Sequence, residues 1–176
     1  MLDSIRPLVA AAQGAALSVD PVRAAELVEA IAAAPRVFVV GAGRTGLVAR
    51  AFVIRLRHLG KDAYAAGEAA TPAPKSRDLV LVCTASSETA TTVAIGRGAL
   101  ARAIPVWVIT QPERAAAWPV AAHVLGLPVG AAAAAGPLGT VFELALGLLF
   151  DGLVAELMAR LRVDEASMRA RHATLE

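Results

Sequence analysis

The chain contains two copies of one arrangement, in which a short apolar run leads through a loop of small or hydroxyl-bearing residues into a helical segment. The first run, residues 36–40, precedes the loop Gly-Ala-Gly-Arg-Thr-Gly at 41–46. The second run, residues 79–83, precedes the loop Thr-Ala-Ser-Ser-Glu-Thr at 84–89. Glycine lets a backbone turn tightly beside an anion, and exposed N–H groups at the start of a helix attract negative charge. Two such loops in one short chain predict a site for a small phosphorylated ligand.

The composition is that of a protein with one substantial core, because 57% of the 176 residues are hydrophobic. The formal net charge is only +2 and the basic residues are not clustered, which argues against a nucleic-acid partner. We interpret the single cysteine, Cys83, as a small core residue at the end of a buried strand. The most apolar stretch, 138–154, contains two acidic residues, so we expect no membrane span and a cytoplasmic protein.

Apolar periodicity predicts strands that alternate with helices. The predicted strands are 36–40, 62–66, 79–83, 105–109 and 123–127, and the main predicted helices are 21–33, 44–58, 87–102 and 138–161. Continuous apolar strands between helices indicate a mostly parallel five-stranded sheet that is covered on both faces. We therefore predict one doubly wound α/β domain over 1–176, with ligand loops at the carboxyl ends of the strands. Its predicted parts are N-terminal helices at 1–34, a sheet core at 36–127, and C-terminal helices and a tail at 137–176.

A dinucleotide-binding protein is a competing interpretation of the first loop. Residues 41–46 match the Gly-x-Gly-x-x-Gly fingerprint, and Glu68 lies about where a ribose-binding acid is expected. Three features favour a phosphate monoester instead. Two predicted helices precede the first strand, Arg44 and Thr45 place a cation and a hydroxyl at the helix start, and the dinucleotide interpretation gives the second loop no role.

The second loop has a simpler alternative interpretation as an ordinary helix cap. Thr84, Ser86 or Ser87 can cap the helix, with Glu88 completing a capping box. Five side chains capable of hydrogen bonding in six positions are nevertheless more than one cap requires. We therefore favour phosphate binding for this loop.

Further motifs carry a resemblance to a known family. They are Arg-Leu-Arg-His-Leu-Gly at 55–60, Gly-Glu-Ala-Ala-Thr-Pro at 67–72, Pro-Leu-Gly-Thr-Val-Phe-Glu at 137–143 and Arg-His-Ala-Thr-Leu-Glu at 171–176. With the two loops they make the chain similar to the SIS (sugar isomerase) domain family and, within it, to the 6-phospho-3-hexuloisomerases. The terminal motif is the most specific piece, because general SIS domains lack it.

The resemblance implies an enzyme that interconverts 3-hexulose 6-phosphate and fructose 6-phosphate in the ribulose monophosphate pathway of formaldehyde assimilation and detoxification. This reaction moves a carbonyl between C3 and C2 and requires neither a metal nor a redox cofactor. The resemblance also implies a homo-oligomer, typically a tetramer, with active sites shared between chains. A non-catalytic sugar-phosphate sensor and an isomerase of another phosphosugar stay open as alternatives.

The resemblance also assigns the phosphate ligands. By family pattern, Thr45, Thr84, Ser86 and Thr89 hold the phosphate. The family usually reads Ser-Gly-Ser-Gly-Glu-Thr in the second loop, so Thr84, Ala85 and Ser87 stand here for a serine and two glycines. Ala85 and Ser87 restrict the backbone if those positions require positive φ. The full set of candidate phosphate and substrate residues is Gly43, Arg44, Thr45, Glu68, Thr71, Thr84, Ser86, Ser87 and Thr89.

Two residues are candidates for the chemistry itself. Glu143 lies in a very apolar helix, where desolvation makes a carboxylate a stronger base, and we predict that it removes the C2 proton. The alternative is that Glu143 and Asp151, eight residues later, share a solvated helix face. His172 is predicted, from the resemblance of the tail alone, to reach into a neighbouring subunit as a proton shuttle or oxyanion donor. The alternative for His172 is a solvent-exposed side chain.

Overall fold

Residues 1–174, which a computed structural model describes, form six α-helices, five β-strands and two short 3₁₀ segments. The helices are α1 (Leu2–Leu17), α2 (Pro21–Ala33), α3 (Gly43–His58), α4 (Ala90–Leu100), α5 (Thr140–Leu161) and α6 (Glu165–Ala170). The strands are β1 (Arg36–Val40), β2 (Asp62–Ala65), β3 (Leu79–Cys83), β4 (Val106–Thr110) and β5 (His123–Gly126). The 3₁₀ segments are Pro112–Ala117 and Gly130–Ala135. The last two residues of the terminal motif, Leu175 and Glu176, lie outside the described residues.

The five strands form one parallel sheet in the order β2-β1-β3-β4-β5. At the centre of the sheet Val40 of β1 is paired with Val82 of β3. The predicted α/β fold with a five-stranded sheet is confirmed, and the sheet is parallel throughout.

Side chains alternate between the two faces of the sheet, as the strand period requires. Val39 and Leu81 point to a face covered by α1, α2, α3 and α5. Phe38 and Val82 point to the opposite face, which is covered by α4 and the segment after β4. The two layers are unequal because the connection from β2 to β3, residues 66–78, contains no helix.

The strand order creates a crevice between the central loops. The chain leaves β1 through α3 toward one face and leaves β3 through α4 toward the other face. In open α/β sheets, ligands bind where the direction of winding reverses in this way, outside the carboxyl ends of the strands. Loops 41–46 and 84–89 flank that point, because β1 and β3 are neighbours.

The observed strand bounds and the start of α3 lie within one residue of their predicted positions. Asp20 caps α2 as its sequence indicates, since its carboxylate accepts hydrogen bonds from the N–H groups of Val22 and Arg23. Two helix starts were predicted too early. Helix α4 begins at Ala90 rather than at residue 87, and α5 begins at Thr140 rather than at residue 138.

Left-handed backbone conformations explain both late starts. Ser87 has φ 57°, and Leu138 and Gly139 have φ of 49° and 83°. Such residues do not fit the interior of a right-handed helix, and here each helix begins after them. The late starts leave loop 84–89 and the entrance to α5 as non-helical segments.

A buried carboxylate fixes the long connection that leads into β3. Asp78 is 2% exposed and accepts hydrogen bonds from the guanidinium of Arg36 and from the backbone N–H of Lys75. Burial favours the neutral carboxyl, but these hydrogen bonds outweigh it and lower the pKa of Asp78 below its ordinary value. Arg36 also donates to the carbonyl of Ala73, so the connection is tied to the start of β1.

Asp78→Asn should lower the free energy of unfolding by about 1–3 kcal/mol at neutral pH, because it removes a charged acceptor from a buried network. A lowered folded-state pKa stabilises the protein above the unfolded-state pKa, and this stability is lost as the pH falls through the folded-state value. Urea denaturation from pH 7 to pH 3 should therefore show the gap between wild type and variant closing below about pH 4. Asp3→Asn, at an exposed position, is the control. A difference in unfolding free energy that does not change with pH would contradict the lowered pKa of Asp78.

Candidate active site

Loop 41–46 depends on glycine for its shape. A Cβ at Gly46 would lie 2.6 Å from the carbonyl oxygen of Gly41, and a Cβ at Gly41 would lie 3.3 Å from the carbonyl oxygen of Cys83. Gly43 adopts φ 56° and has open space around it. No side chain of the described residues caps the start of α3, so the N–H groups of its first turn are available to a ligand.

Loop 84–89 presents a second uncapped helix start. The capping box of the alternative interpretation does not form in residues 1–174, because the N-cap of α4 is Thr89 and no described side chain bonds to the first turn. The Ser86 hydroxyl accepts instead from the N–H of Glu88, at 3.2 Å. Ser86 is half-buried and Thr89 is exposed. The two helix starts beside the crevice can therefore both receive an anion.

Ser87 and Thr84 differ from the other members of this loop because both are buried. The Thr84 hydroxyl accepts from the N–H of Ser87, at 3.1 Å. The Ser87 hydroxyl lies 2.9 Å from Oγ1 of Thr110 and accepts from Nε1 of Trp118, at 3.0 Å. This arrangement argues against a direct phosphate contact from the Ser87 hydroxyl and gives that group a structural role.

Glu143 lies in the first turn of α5 and is 8% exposed. Its Oε2 accepts a hydrogen bond of 2.6 Å from Nε of Arg44, in the first turn of α3. The Glu143 side chain does not share a solvated face with Asp151, which is exposed. The fold thus brings together a loop and a carboxylate that are 99 residues apart.

The Glu143 carboxylate is buried in the first turn of α5 and is paired there with the Arg44 guanidinium. The Arg44 side chain is 67% exposed, so only one member of the pair is held inside the protein. The result is a buried carboxylate that is hydrogen-bonded to a largely exposed cation.

Glu68 and Thr71 lie after β2, at the same edge of the sheet as the two loops. Glu68 is exposed and its carboxylate lies 3.0 Å from Nε of Arg50. The Thr71 hydroxyl donates to the carbonyl of Ala65 at 2.6 Å, so it fastens the loop to the end of β2. The Glu68 carboxylate is therefore an exposed group at this edge, while Thr71 maintains the loop.

His172 lies at the other end of the molecule from this crevice. Its ring stacks on His58, with ring centroids 5.0 Å apart, at the C-terminus of α3. Arg171 fastens this segment by donating to the carbonyl of His58. Arg44 and His58 are separated by fourteen helical residues, or about 20 Å. Within one chain His172 cannot serve the site that contains Glu143.

Three further features of the described residues bear on the chemistry. Cys83 is buried, and burial raises the pKa of its thiol, which fits the predicted core role. Residues 1–174 contain no group of three or more His, Cys, Asp or Glu side chains that could hold a metal ion. Among the same residues, no helix combines the length and apolarity needed to cross a bilayer.

Comparison with known proteins supplies relatives over most of the chain. No protein-family profile matches the sequence. A 3-hexulose-6-phosphate isomerase from Methylomonas aminofaciens is 32% identical over 158 residues, covering 86% of each chain. A protein of the same name from Bacillus subtilis is 30% identical over 158 residues, covering 86% of this chain and 85% of the other.

The chain belongs to the 3-hexulose-6-phosphate isomerase family. Membership places it among isomerase enzymes, as the resemblance implies. A crystal structure from Methanococcus jannaschii, described as inferring a molecular function of 3-hexulose-6-phosphate isomerase, aligns with a TM-score of 0.76 at 28% identity. The alignment covers 88% of this chain and 86% of that one.

The sequence analysis missed three side chains that shape the site of this family member. Arg50 pairs with Glu68, and Thr110 and Trp118 hold Ser87. Thr110 had a detectable signal, since it is a polar residue that ends an otherwise apolar strand next to β3. Trp118 had none, because it lies in an irregular segment whose path follows only from the tertiary structure.

Gly46→Ala should lower the free energy of unfolding by about 1–3 kcal/mol, because the added Cβ forces α3 away from the Gly41 carbonyl. Gly152→Ala is the matched control, since a Cβ at that helical position meets nothing within 4 Å. The control should be neutral or stabilising. Urea denaturation measures both changes, and equal stabilities for the two variants would contradict the packing described for loop 41–46.

Proposed function

We propose that the protein interconverts 3-hexulose 6-phosphate and fructose 6-phosphate through a 2,3-enediol, with Glu143 as the general base. The buried Glu143 carboxylate, held by Arg44 beside two uncapped helix starts, is the observation that carries the proposal. The names of the relatives support the choice of substrate. The proposed setting is the cytoplasm and the ribulose monophosphate pathway, which assimilates or detoxifies formaldehyde.

The substrate phosphate is proposed to bind between loops 41–46 and 84–89. The N-terminal N–H groups of α3 and α4 supply hydrogen-bond donors and positive dipole ends there. Thr45, Ser86 and Thr89 add hydroxyls on the same loops. Thr84, which stands where the family usually has serine, is proposed to shape the loop, because its hydroxyl accepts a hydrogen bond from the N–H of Ser87.

The proposed chemistry is a proton transfer between neighbouring carbons. The Glu143 carboxylate takes the C2 proton of the 3-keto sugar, and the electron pair of the C–H bond moves to form the C2–C3 double bond. The C3 carbonyl oxygen gains a proton to complete the enediol. Loss of the proton from the C2 hydroxyl and return of a proton to C3 then give fructose 6-phosphate. No group leaves and no electron is exchanged with a cofactor.

Arg44 is proposed both to hold the base, Glu143, in position and to stabilise the negative charge that develops on the sugar. Its Nε is bonded to Glu143, which leaves its terminal nitrogens as donors toward the crevice. A cation beside the enediolate oxygen stabilises charge that develops only during the reaction. Glu68, at the same edge, is proposed to contact sugar hydroxyls.

A homo-oligomer, proposed to be a tetramer, would complete the site. The exposed side chains of Leu47 and Ile54 on α3 and of Leu144 and Leu148 on α5 form an apolar surface across two packed helices. That surface begins next to Arg44 and Glu143, so a second copy covering it would shield the reaction from water. A neighbouring chain is also proposed to supply His172, because the His172 of the same chain does not reach the site that contains Glu143.

Glu143→Gln should reduce kcat by about 10²–10⁴-fold, because the amide cannot accept the proton. Binding of fructose 6-phosphate should persist. A coupled assay measures the change: hexulose-phosphate synthase splits 3-hexulose 6-phosphate into ribulose 5-phosphate and formaldehyde, and formaldehyde release is followed. Glu156→Gln, at an exposed position on the same helix, is the matched control.

Substantial activity in Glu143→Gln would remove Glu143 as the base. Binding of fructose 6-phosphate by the wild-type protein without formaldehyde release would favour a sensor or an isomerase of another phosphosugar. No binding of the sugar, with binding of a nicotinamide or flavin, would return the site to the dinucleotide interpretation.

Sharing of sites between chains predicts complementation. Glu143→Gln and His172→Ala should each be nearly inactive alone, and co-expression should recover activity, because some sites in mixed assemblies combine an intact Glu143 with an intact His172. His123→Ala is the control and should stay active, since His123 stacks on Trp107 at the edge of the sheet. Full activity of His172→Ala, or no recovery on mixing, would contradict the shared site.

A further inference from the structure

Ser87 holds a backbone conformation that an L-residue adopts at a cost. Its φ of 57° lies in the left-handed region, where the Cβ crowds the following carbonyl. Ser87 is nevertheless buried, with 7% of its surface exposed, in the middle of the loop that leads into α4. Such a conformation persists only where its surroundings enforce it.

A chain of hydrogen bonds supplies that enforcement. Trp118 Nε1 donates to the Ser87 hydroxyl at 3.0 Å, and that hydroxyl lies 2.9 Å from Oγ1 of Thr110. Thr110 Oγ1 in turn donates toward the carbonyl of Ala85 at 3.5 Å, and Gln111 Nε2 donates to the same carbonyl at 3.1 Å. The network starts outside the loop and returns to its backbone, so it fixes both sides of Ser87.

Trp118 is itself held in place by close packing. A Cβ at Gly96 would lie 2.8 Å from Cζ3 of the indole and 3.0 Å from Cγ2 of Val82. Trp118 is 6% exposed and Thr110 is fully buried. The indole N–H therefore has a fixed position, and the Ser87 hydroxyl is the acceptor placed to satisfy it.

We propose that Trp118 and Thr110 are positioning residues that hold Ser87 in its left-handed conformation and thereby shape loop 84–89 for the sugar phosphate. The inference rests on the proposed function, because it takes this loop to bind the phosphate. The backbone turn at Ser87 directs the chain so that the N–H groups after it and the Thr89 side chain lie at the start of α4. Trp118 itself does not touch the substrate.

Replacing Ser87 by glycine distinguishes the proposed positioning role of Trp118 from a role in packing alone. Glycine adopts φ near 57° freely and carries no hydroxyl, so the loop would keep its shape without help. The Trp118 N–H would then lack an acceptor, and Trp118→Phe would remove the orphaned donor. The effect of Trp118→Phe should therefore depend on which residue occupies position 87.

The test is a double-mutant cycle of Trp118→Phe and Ser87→Gly, with KM and kcat for fructose 6-phosphate in the coupled assay and its Kd by calorimetry. In the wild-type background Trp118→Phe should raise KM and Kd about three- to tenfold, the effect of losing one buried hydrogen bond. Its kcat should change less than about twofold, because the phosphate is bound equally in the ground and transition states. In the Ser87→Gly background the same substitution should raise KM by less than about twofold. Ser87→Ala, which keeps the strain and removes the hydroxyl, should weaken binding most.

An equal rise of KM in both backgrounds would show that Trp118 acts through packing alone and would overturn the inference. No rise in the wild-type background would do the same. Urea denaturation of the four proteins separates this failure from failure of the proposed function. One outcome is that the two substitutions have non-additive effects on the free energy of unfolding in a protein that does not bind fructose 6-phosphate. That result would support the hydrogen-bond network but would contradict phosphate binding, and with it the positioning role.

Discussion

The parallel pairing of β1 with β3 is the constraint on which the site depends. Both strands are buried on both faces, and the helices that follow them leave toward opposite faces of the sheet. The reversal opens a crevice at their carboxyl ends and turns the starts of α3 and α4 toward it. The lack of a side chain at Gly41 lets the two loops lie close together, because a Cβ there would be 3.3 Å from the carbonyl oxygen of Cys83. Any substitution that separates these strands should disrupt the proposed phosphate site.

The ion pair of Arg44 with Glu143 connects loop 41–46 with the proposed base. The pair crosses from α3 to α5, so the helix whose N-terminus is proposed to bind the phosphate also helps to position the carboxylate. The carboxylate is buried and the guanidinium is largely exposed. An exposed cation can rearrange toward a substrate while the base keeps its place. The arrangement suits a reaction in which negative charge develops on the sugar next to the base.

The sheet and its loops were predictable from the sequence because they depend on local patterns. Continuous apolar runs gave the strand bounds to within one residue, and Asp20 marked the start of α2. The late start of α4 was not predictable, since the left-handed conformation of Ser87 depends on Thr110 and Trp118, which lie 23 and 31 residues away. The pairing of Arg44 with Glu143 has no local signature either. The position of His172 within one chain became clear only once the tail was seen packed against His58. Its predicted role depends on an assembly of chains.

A crystal structure of the Glu143→Gln variant with fructose 6-phosphate tests the central claim most directly, because the variant should bind the sugar without converting it. We predict that the phosphate lies between loops 41–46 and 84–89, with its oxygens within hydrogen-bond distance of the N-terminal N–H groups of α3 or α4. C2 and C3 of the sugar should lie next to the side chain at position 143. A phosphate bound outside this crevice, or a sugar whose C2 and C3 face away from that side chain, would contradict the account.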